Sequence, residues 1–327
     1  MRILVVGVGS IGTRHMNNLV EHGHEVHVVD VNREKLKMAA SIAKGTFDFL
    51  DEALKIKPDV AFICTYSNDH ITPALKCANA GCHLFIEKPL SLSLDGADEL
   101  IEIIEKKNLL SMVGCNMRFH PAISYVHDTL TKNPFFSKKL WGNFEFGFYL
   151  PFDKKDYQNT YKAKKSMGGN LIFDGIHELD CAIWFFGKPV EVVCNKSILS
   201  SLKIDTEDHV EMIVKFESGT MCTIHMDYLQ HGYSRRCKVV CEEGTIVWDF
   251  VQGNIGVITT SEREWFWKDM ELGISYNQMY VNEVSYFFDC ISSRKETFNS
   301  VKQSLSVLKL ALAANKSCYT NVWERIE

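Results

Sequence analysis

Gly7, Gly9 and Gly12 stand in G-x-G-x-x-G spacing within "RILVVGVGSIG", with Ser10 and Ile11 inside the turn. A loop of this kind, after a strand and at the opening of a helix, suits a dinucleotide. The tight turn, the close approach of backbone to pyrophosphate and the helix–strand contact each exclude a side chain, and the helix N-terminus attracts the anion. Asp30 ends the next apolar run, 21 residues beyond Gly9, where a carboxylate would hold the adenosine ribose hydroxyls. The same charge repels a 2′-phosphate, so NAD is expected ahead of NADP. Arg33, close by, weakens that preference without reversing it. A glycine turn that binds nothing is the plainer reading, and the order strand, glycines, helix, strand, acid argues against it.

A second candidate is Lys88 in "HLFIEKPL", at the end of an apolar run that reads as a buried strand. An ammonium there must reach solvent, a partner or a substrate, because burial without pairing is costly. Ligands of open α/β sheets sit outside the carboxyl ends of the strands. Lys88 and Thr65 are therefore expected on the nicotinamide side of a dinucleotide, with His70 and Glu87 beside them. A surface lysine paired with Glu87 is the alternative. Pro89 fixes the turn, and its peptide bond is expected trans, as most X-Pro bonds are.

The third is "DGIHELDCAIWFF", read as one helix. Ile176, Leu179, Ile183 and Phe186 form an apolar stripe, with His177 and Asp180 on another face. A histidine near a helix start is commonly only a capped or exposed polar group. In a chain with a dinucleotide site it is also the side chain that titrates nearest neutrality, suited to take a hydroxyl proton as hydride leaves a secondary alcohol. In that scheme Lys88 donates a hydrogen bond to the same oxygen and Asp174 or Asp180 orients the imidazole. His225 alternates with Thr223 and Asp227 along a strand face and reads as sheet surface or interface. His15, His22, His24 and His27 show no acid/base constellation. No H-E-x-x-H or Cys/His spacing supports a metal. Lys162, Lys164 and Lys165 are either solvated or hold a substrate phosphate or carboxylate.

The elements that must position these groups alternate in the first third. Strands are expected at "RILVVG", "EVHVVD", "DVAFICT", "HLFIE" and "LLSMVG", with helical segments between, which is the grammar of parallel βαβ units. A doubly wound sheet is expected over residues 1–120. Over 121–327 the strands lengthen and intervening helices disappear. "DHVEMIVKFESGTMCTIHMDYL" reads as a hairpin at Ser218 and Gly219, and "CKVVCEEGTIVWDF" as another near Gly244. The second domain is therefore expected to be α+β, with an open and mainly antiparallel sheet. Helical spacing of Val281, Val284, Phe288 and Ile291, and of Leu305, Leu308 and Leu312, predicts C-terminal helices that pack back on the body.

Composition bounds the function. A hydrophobic share of 46% and a charged share of 24% exclude disorder, and a net charge of −5 with mixed signs excludes a nucleic-acid footprint. No apolar run reaches the roughly 18 residues of a membrane span. Eleven cysteines with no CxxC pair fit free thiols in a reducing cytoplasm.

The G-x-G-x-x-G loop, then "EKP", then "GCNMRFHPA" and "SMGGNLIFDGIHELD", in this order and over essentially the whole chain, resemble the glucose–fructose oxidoreductase, inositol dehydrogenase and rhizopine-catabolism (Gfo/Idh/MocA) family. The resemblance implies a Rossmann domain, an open-sheet domain and an active site between them. It implies oxidation or reduction of a hydroxyl or keto carbon of a sugar or cyclitol with NAD or NADP, phosphorylated and nucleotide-linked sugars included. Lys88 matches the family's catalytic or substrate-orienting lysine, His177 its histidine and Asp174 its acid. Asn116 and Arg118 match residues that line the cleft, and Tyr161 and Lys164 complete the expected substrate contacts. Two departures are notable: the acid and histidine are three residues apart where many members have four, and the usual glycine triplet is Gly168, Gly169 and Asn170. The segment around His177 looks most like oxidoreductases of cell-surface sugar biosynthesis. The resemblance also implies a homodimer or homotetramer. Redox-neutral glycosidases and non-enzymatic NAD-binding regulators are the family's other outcomes.

Overall fold

The computed structural model describes residues 1–270 and 276–326, which form two compact units. The first comprises Met1–Cys115 and Tyr280–Leu308, the second Asn116–Met279 and Lys309–Glu327.

In the first unit the strands are β1 (Arg2–Val6), β2 (Glu25–Val29), β3 (Gly45–Phe47), β4 (Val60–Ile63), β5 (His83–Ile86) and β6 (Ser111–Val113). They form one parallel sheet in the order β3-β2-β1-β4-β5-β6. Its helices are α1 (Ser10–Glu21), α2 (Arg33–Ala39), α3 (Leu50–Ala53), α4 (Ile71–Asn79) and α5 (Ala97–Lys106). Ile3 to Val5, Val60 to Ile63 and Leu84 to Ile86 are fully buried, as expected for strands covered on both faces. α1 and α4 each run out into a glycine with positive φ, Gly23 at 79° and Gly81 at 91°, which turns the chain toward the next strand. β6 is an edge strand, and residues 297–301 cover it. The Thr297 hydroxyl donates to the Ser111 carbonyl at 2.6 Å, and Val113 and Asn299 exchange hydrogen bonds at 2.9 Å. The sequence did not predict β3, which is three residues long and lacks an apolar alternation.

The second unit holds α6 (Pro121–Lys132), β7 (Lys139–Gly147), α7 (Leu150–Asp153), α8 (Leu171–Asp174), α9 (Ile176–Phe186), β8 (Pro189–Ser197), β9 (His209–Phe216), β10 (Met221–Asp227), β11 (Ser234–Cys241), β12 (Gly244–Asp249), β13 (Asn254–Thr259) and β14 (Phe266–Asp269). Two long helices, α10 (Tyr276–Ser293) and α11 (Val301–Thr320), precede β15 (Glu324–Arg325). The sheet runs β14-β13-β12-β11-β7-β10-β9-β8-β15. Every neighbouring pair is antiparallel except β10 with β7. That exception follows from the long connection after β7, which holds helices and returns the chain in the same direction. Both hairpins form, the first with Gly219 at φ 86°.

β9 alternates, with Val210, Met212, Val214 and Phe216 buried on one face and His209, Glu211, Ile213 and Lys215 on the other. α8 and α9 pack on the buried face. A Cβ at Gly142 would lie 2.4 Å from the Phe186 ring, and one at Gly175 would lie 2.2 Å from Met226 Sδ. This contact corrects the expectation of one helix through "DGIHELDCAIWFFG". Gly175 presses on β10 with φ −85° and ψ 26°, so the segment breaks there into α8 and α9.

Candidate functional site

The glycine loop joins β1 to α1. Gly7 has φ 90°, and a Cβ on it would stand 2.7 Å from the Cys64 carbonyl oxygen. A Cβ on Gly12 would stand 1.9 Å from the Gly7 carbonyl oxygen. Both glycines are therefore required by the protein's own packing. Gly9 differs: its φ of −68° is ordinary, and a Cβ there would meet nothing within 4 Å. The open space lies at the N-terminus of α1, which has neither a side-chain cap nor an acid in its first turn. Backbone amides with a helix dipole behind them suit a pyrophosphate there, and the geometry fits the dinucleotide.

Asp30 follows β2, and its largely buried carboxylate accepts from Val8 N and Asn32 N, each at 2.8 Å. The acid is thereby fixed against the glycine loop. Arg33 is largely exposed and turned to Asp48, 3.1 Å away.

Parallel strands place the ends of β1, β2, β4 and β5 along one edge of the sheet. Thr65 follows β4 and donates to the Asp69 carbonyl at 2.7 Å. Lys88 follows β5, half-buried, and its bond to Pro89 is cis where trans was expected. His70 is buried, with Nδ1 2.7 Å from the Pro89 carbonyl oxygen and Nε2 3.2 Å from that of Thr65. It braces the loop after β4 against the turn that carries Lys88. Burial outweighs those carbonyls and holds its pKa below the ordinary imidazole value.

Glu87 is a second brace, and the sequence reading missed its partner. Its Oε1 lies 2.6 Å from Nε2 of His15, a fully buried residue of α1, and its Oε2 accepts from Lys88 N at 3.1 Å. Burial alone would raise the carboxyl pKa. His15 and Lys88 outweigh it and hold Glu87 below its usual range. His15 is therefore half of an acid/base pair, contrary to the expectation that it belonged to none. It packs against Phe62 and Phe85, with ring centroids at 5.3 and 5.1 Å, and links α1 to the strand end behind Lys88.

In the second unit Asp174 closes α8, and its carboxylate is nearly buried. Its Oδ1 accepts from the Tyr161 hydroxyl at 2.6 Å and its Oδ2 from the Tyr228 hydroxyl at 3.0 Å. Burial and the Asp174 charge push both phenols well above their ordinary range, so both stay donors. The Lys162 ammonium lies 3.8 Å from Asp174 and 3.1 Å from Asp153. Burial disfavours its charge, the two carboxylates favour it more, and its pKa is raised. It is thus paired inside the protein rather than solvated. Lys164 donates to Asn159 Oδ1 at 3.0 Å. Half-buried His177 stands at the start of α9, one helix beyond Asp174.

Asn116 and Arg118 lie in a short 3-10 turn and are both buried. The Asn116 side-chain amide nitrogen is buried with no partner among the described residues, and such a donor is costly to leave unmet. Arg118 grips Asp180 on α9 with two hydrogen bonds, 2.8 and 2.6 Å, and lies 5.1 Å over the Trp184 ring. Asp180 was expected on a polar helix face beside His177. It is buried against Arg118 instead, and Glu178 is buried against Arg235 at 2.7 Å. α9 is therefore covered nearly all round, its acids held by arginines distant in sequence.

Residues 1–115 match the family described as "Oxidoreductase family, NAD-binding Rossmann fold", and residues 139–247 match the GFO/IDH/MocA C-terminal domain. The chain is 26% identical to the myo-inositol 2-dehydrogenase of Thermotoga maritima, over 97% of this chain and 96% of that one. It is 25% identical to the UDP-N-acetylglucosamine 3-dehydrogenase of Acidithiobacillus ferrooxidans, over 79% of this chain and 76% of that one. The solved structure of levoglucosan dehydrogenase with NADH shares the fold, with a TM-score of 0.88 at 18% identity over 100% of this chain and 99% of that one. No helix of the described residues is long and apolar enough to cross a membrane.

Proposed function

The chain belongs to the Gfo/Idh/MocA family of NAD-binding oxidoreductases, and on that premise we propose that it is a dehydrogenase acting on a carbinol carbon of a sugar or cyclitol. The observation that carries this reading is the glycine loop with open space at Gly9, fixed to Asp30 and set on the same sheet edge as Lys88. Relatives named for inositol and for a nucleotide sugar support the substrate class.

NAD supplies the hydride acceptor, C4 of its nicotinamide. The amides at the start of α1 would hold the pyrophosphate, and Asp30 would accept from the adenosine ribose hydroxyls. Lys88, held in place through Glu87 and His15, donates a hydrogen bond to the reacting substrate oxygen and stabilises its growing negative charge. His177 takes the proton from that oxygen. Asp174, whose own position is set by Tyr161 and Tyr228, orients the imidazole. The buried Asn116 amide offers its unmet donor to the bound ligand. In this reading His177→Ala lowers turnover by about a hundredfold or more with NAD affinity intact. Loss of NAD binding in that variant would show instead that the substitution disrupts the fold.

The eleven thiols, free in this structure, support a reducing cytoplasm as the site of action. The half-exposed face of the second sheet supports assembly into a homodimer or homotetramer, and light scattering that finds a monomer at micromolar concentration would count against it.

A further inference from the structure

His209 and Glu211 are two residues apart on β9 and share the sheet face opposite α8 and α9, and the register sets His225 of β10 directly across from Glu211. Glu211 Oε1 lies 2.6 Å from His225 Nδ1 and 3.7 Å from His209 Nε2. One ligand atom from each residue falls within 4.8 Å of the others. A tetrahedral zinc with bonds near 2.0–2.2 Å needs its ligand atoms about 3.3 Å apart, so the separations seen here, none above 4.8 Å, lie within about 1.5 Å of what an ion requires. The backbone beneath is rigid, because β9 and β10 each have a strand on both sides.

A second feature points the same way. His225 Nε2 lies 2.6 Å from Asp227 Oδ2. Asp227 is itself buried and fixed, accepting from Leu229 N, Gln230 N and Gln230 Nε2 at 2.7–2.9 Å. Both ring nitrogens stand 2.6 Å from carboxylate oxygens, so without an ion both donate, Nε2–H to Asp227 and Nδ1–H to Glu211. A metal ion would take the place of the Nδ1 proton, while Asp227 keeps Nε2–H and the ring's orientation. That is the usual support of a metal-ligating histidine.

We propose that His209, Glu211 and His225 form a binding site for a divalent transition-metal ion of the zinc class, with Asp227 orienting His225. Two imidazoles and one carboxylate favour zinc, cobalt or nickel over magnesium or calcium, which prefer all-oxygen sets. Three protein ligands leave a fourth coordination position open. Sequence spacing could not reveal the site, because its ligands come from two strands joined only by pairing.

The test uses the full chain, freed of any histidine tag and dialysed against a chelator, titrated with Co2+ and then with Zn2+. One equivalent of Co2+ should saturate the protein and give visible d–d bands, which Zn2+ should abolish. His209→Ala and Glu211→Gln should each weaken binding by about tenfold or more, and Asp227→Asn by about 10- to 100-fold. NADH titration of the same variants should match the unaltered protein, showing that they are folded. Absence of saturable Co2+ binding, or binding that His209→Ala and Glu211→Gln leave unchanged, would overturn the proposal; the first result would mean that His225 serves only to bridge Glu211 and Asp227.

Discussion

Alanine at Gly9 and alanine at Gly12 should fail in opposite ways, although both add one methyl to the same loop. At Gly12 the new carbon would stand 1.9 Å from the Gly7 carbonyl oxygen, where real contacts stay beyond 3.0 Å. The loop and α1 must then part by about 1 Å, an overpacking strain of about 1–3 kcal/mol. At Gly9 the backbone angles suit alanine, no neighbour lies within 4 Å, and no side-chain cap is lost. The unfolded chain loses a little freedom, which favours the variant by up to about 1 kcal/mol. Alanine is a poorer N-cap than glycine and costs about as much, so stability should stay within about 1 kcal/mol of the unaltered protein. With NAD bound, the Gly9 methyl would occupy the place of the pyrophosphate and weaken affinity by about tenfold or more, equivalent to about 1.4 kcal/mol. Thermal melts without cofactor, paired with NADH fluorescence titrations, separate the two effects. A Gly9→Ala protein that binds NADH like the unaltered one, or that melts as early as Gly12→Ala, would refute the assignment of the open space to the pyrophosphate.

Arg118→Ala should destabilise the second unit by about 3–5 kcal/mol, because it strands a buried Asp180 carboxylate. Urea unfolding should find much of that loss restored in the Arg118→Leu, Asp180→Leu double variant, whereas a raised KM at unchanged stability would make Arg118 a substrate ligand instead. His120 caps α6 by accepting from Ala122 N at 3.2 Å. Burial, aided by the Arg235 charge, lowers its pKa to about 4. The folded state therefore resists protonation that the unfolded chain accepts below its ordinary value. Its stabilising effect is whole above about pH 6.5 and is lost as pH falls toward about 4, by roughly 2–3 kcal/mol. Denaturant midpoints measured across that window should fall less steeply for His120→Asn, which keeps a cap acceptor without titrating.

What could be read ahead of the structure was whatever depends on near neighbours in sequence. The buried runs of β1, β4 and β5, the glycine loop with Asp30, and the hairpin at Gly219 all follow from local pattern and turn chemistry. The break at Gly175 was hidden because it answers to Met226, a residue on another strand. The same holds for the buried ion pairs. His15 finds Glu87 across 72 residues, Arg118 finds Asp180 across 62 and Arg235 finds Glu178 across 57. Spacing carries no trace of such partners, since only the tertiary fold decides which charge meets which. For that reason the acid expected to serve His177 from position 180 turned out to be held by an arginine, while Asp174 keeps its place through two tyrosines.

The most direct test of the dehydrogenase reading mixes the purified protein with NAD and a panel of cyclitols, sugars, sugar phosphates and nucleotide sugars, and follows the absorbance of reduced nicotinamide. The account predicts a rise with one substrate class that disappears in Lys88→Ala, a variant that should still bind NADH. Silence across the whole panel with NAD demonstrably bound, or a rise that Lys88→Ala leaves undiminished, would contradict it.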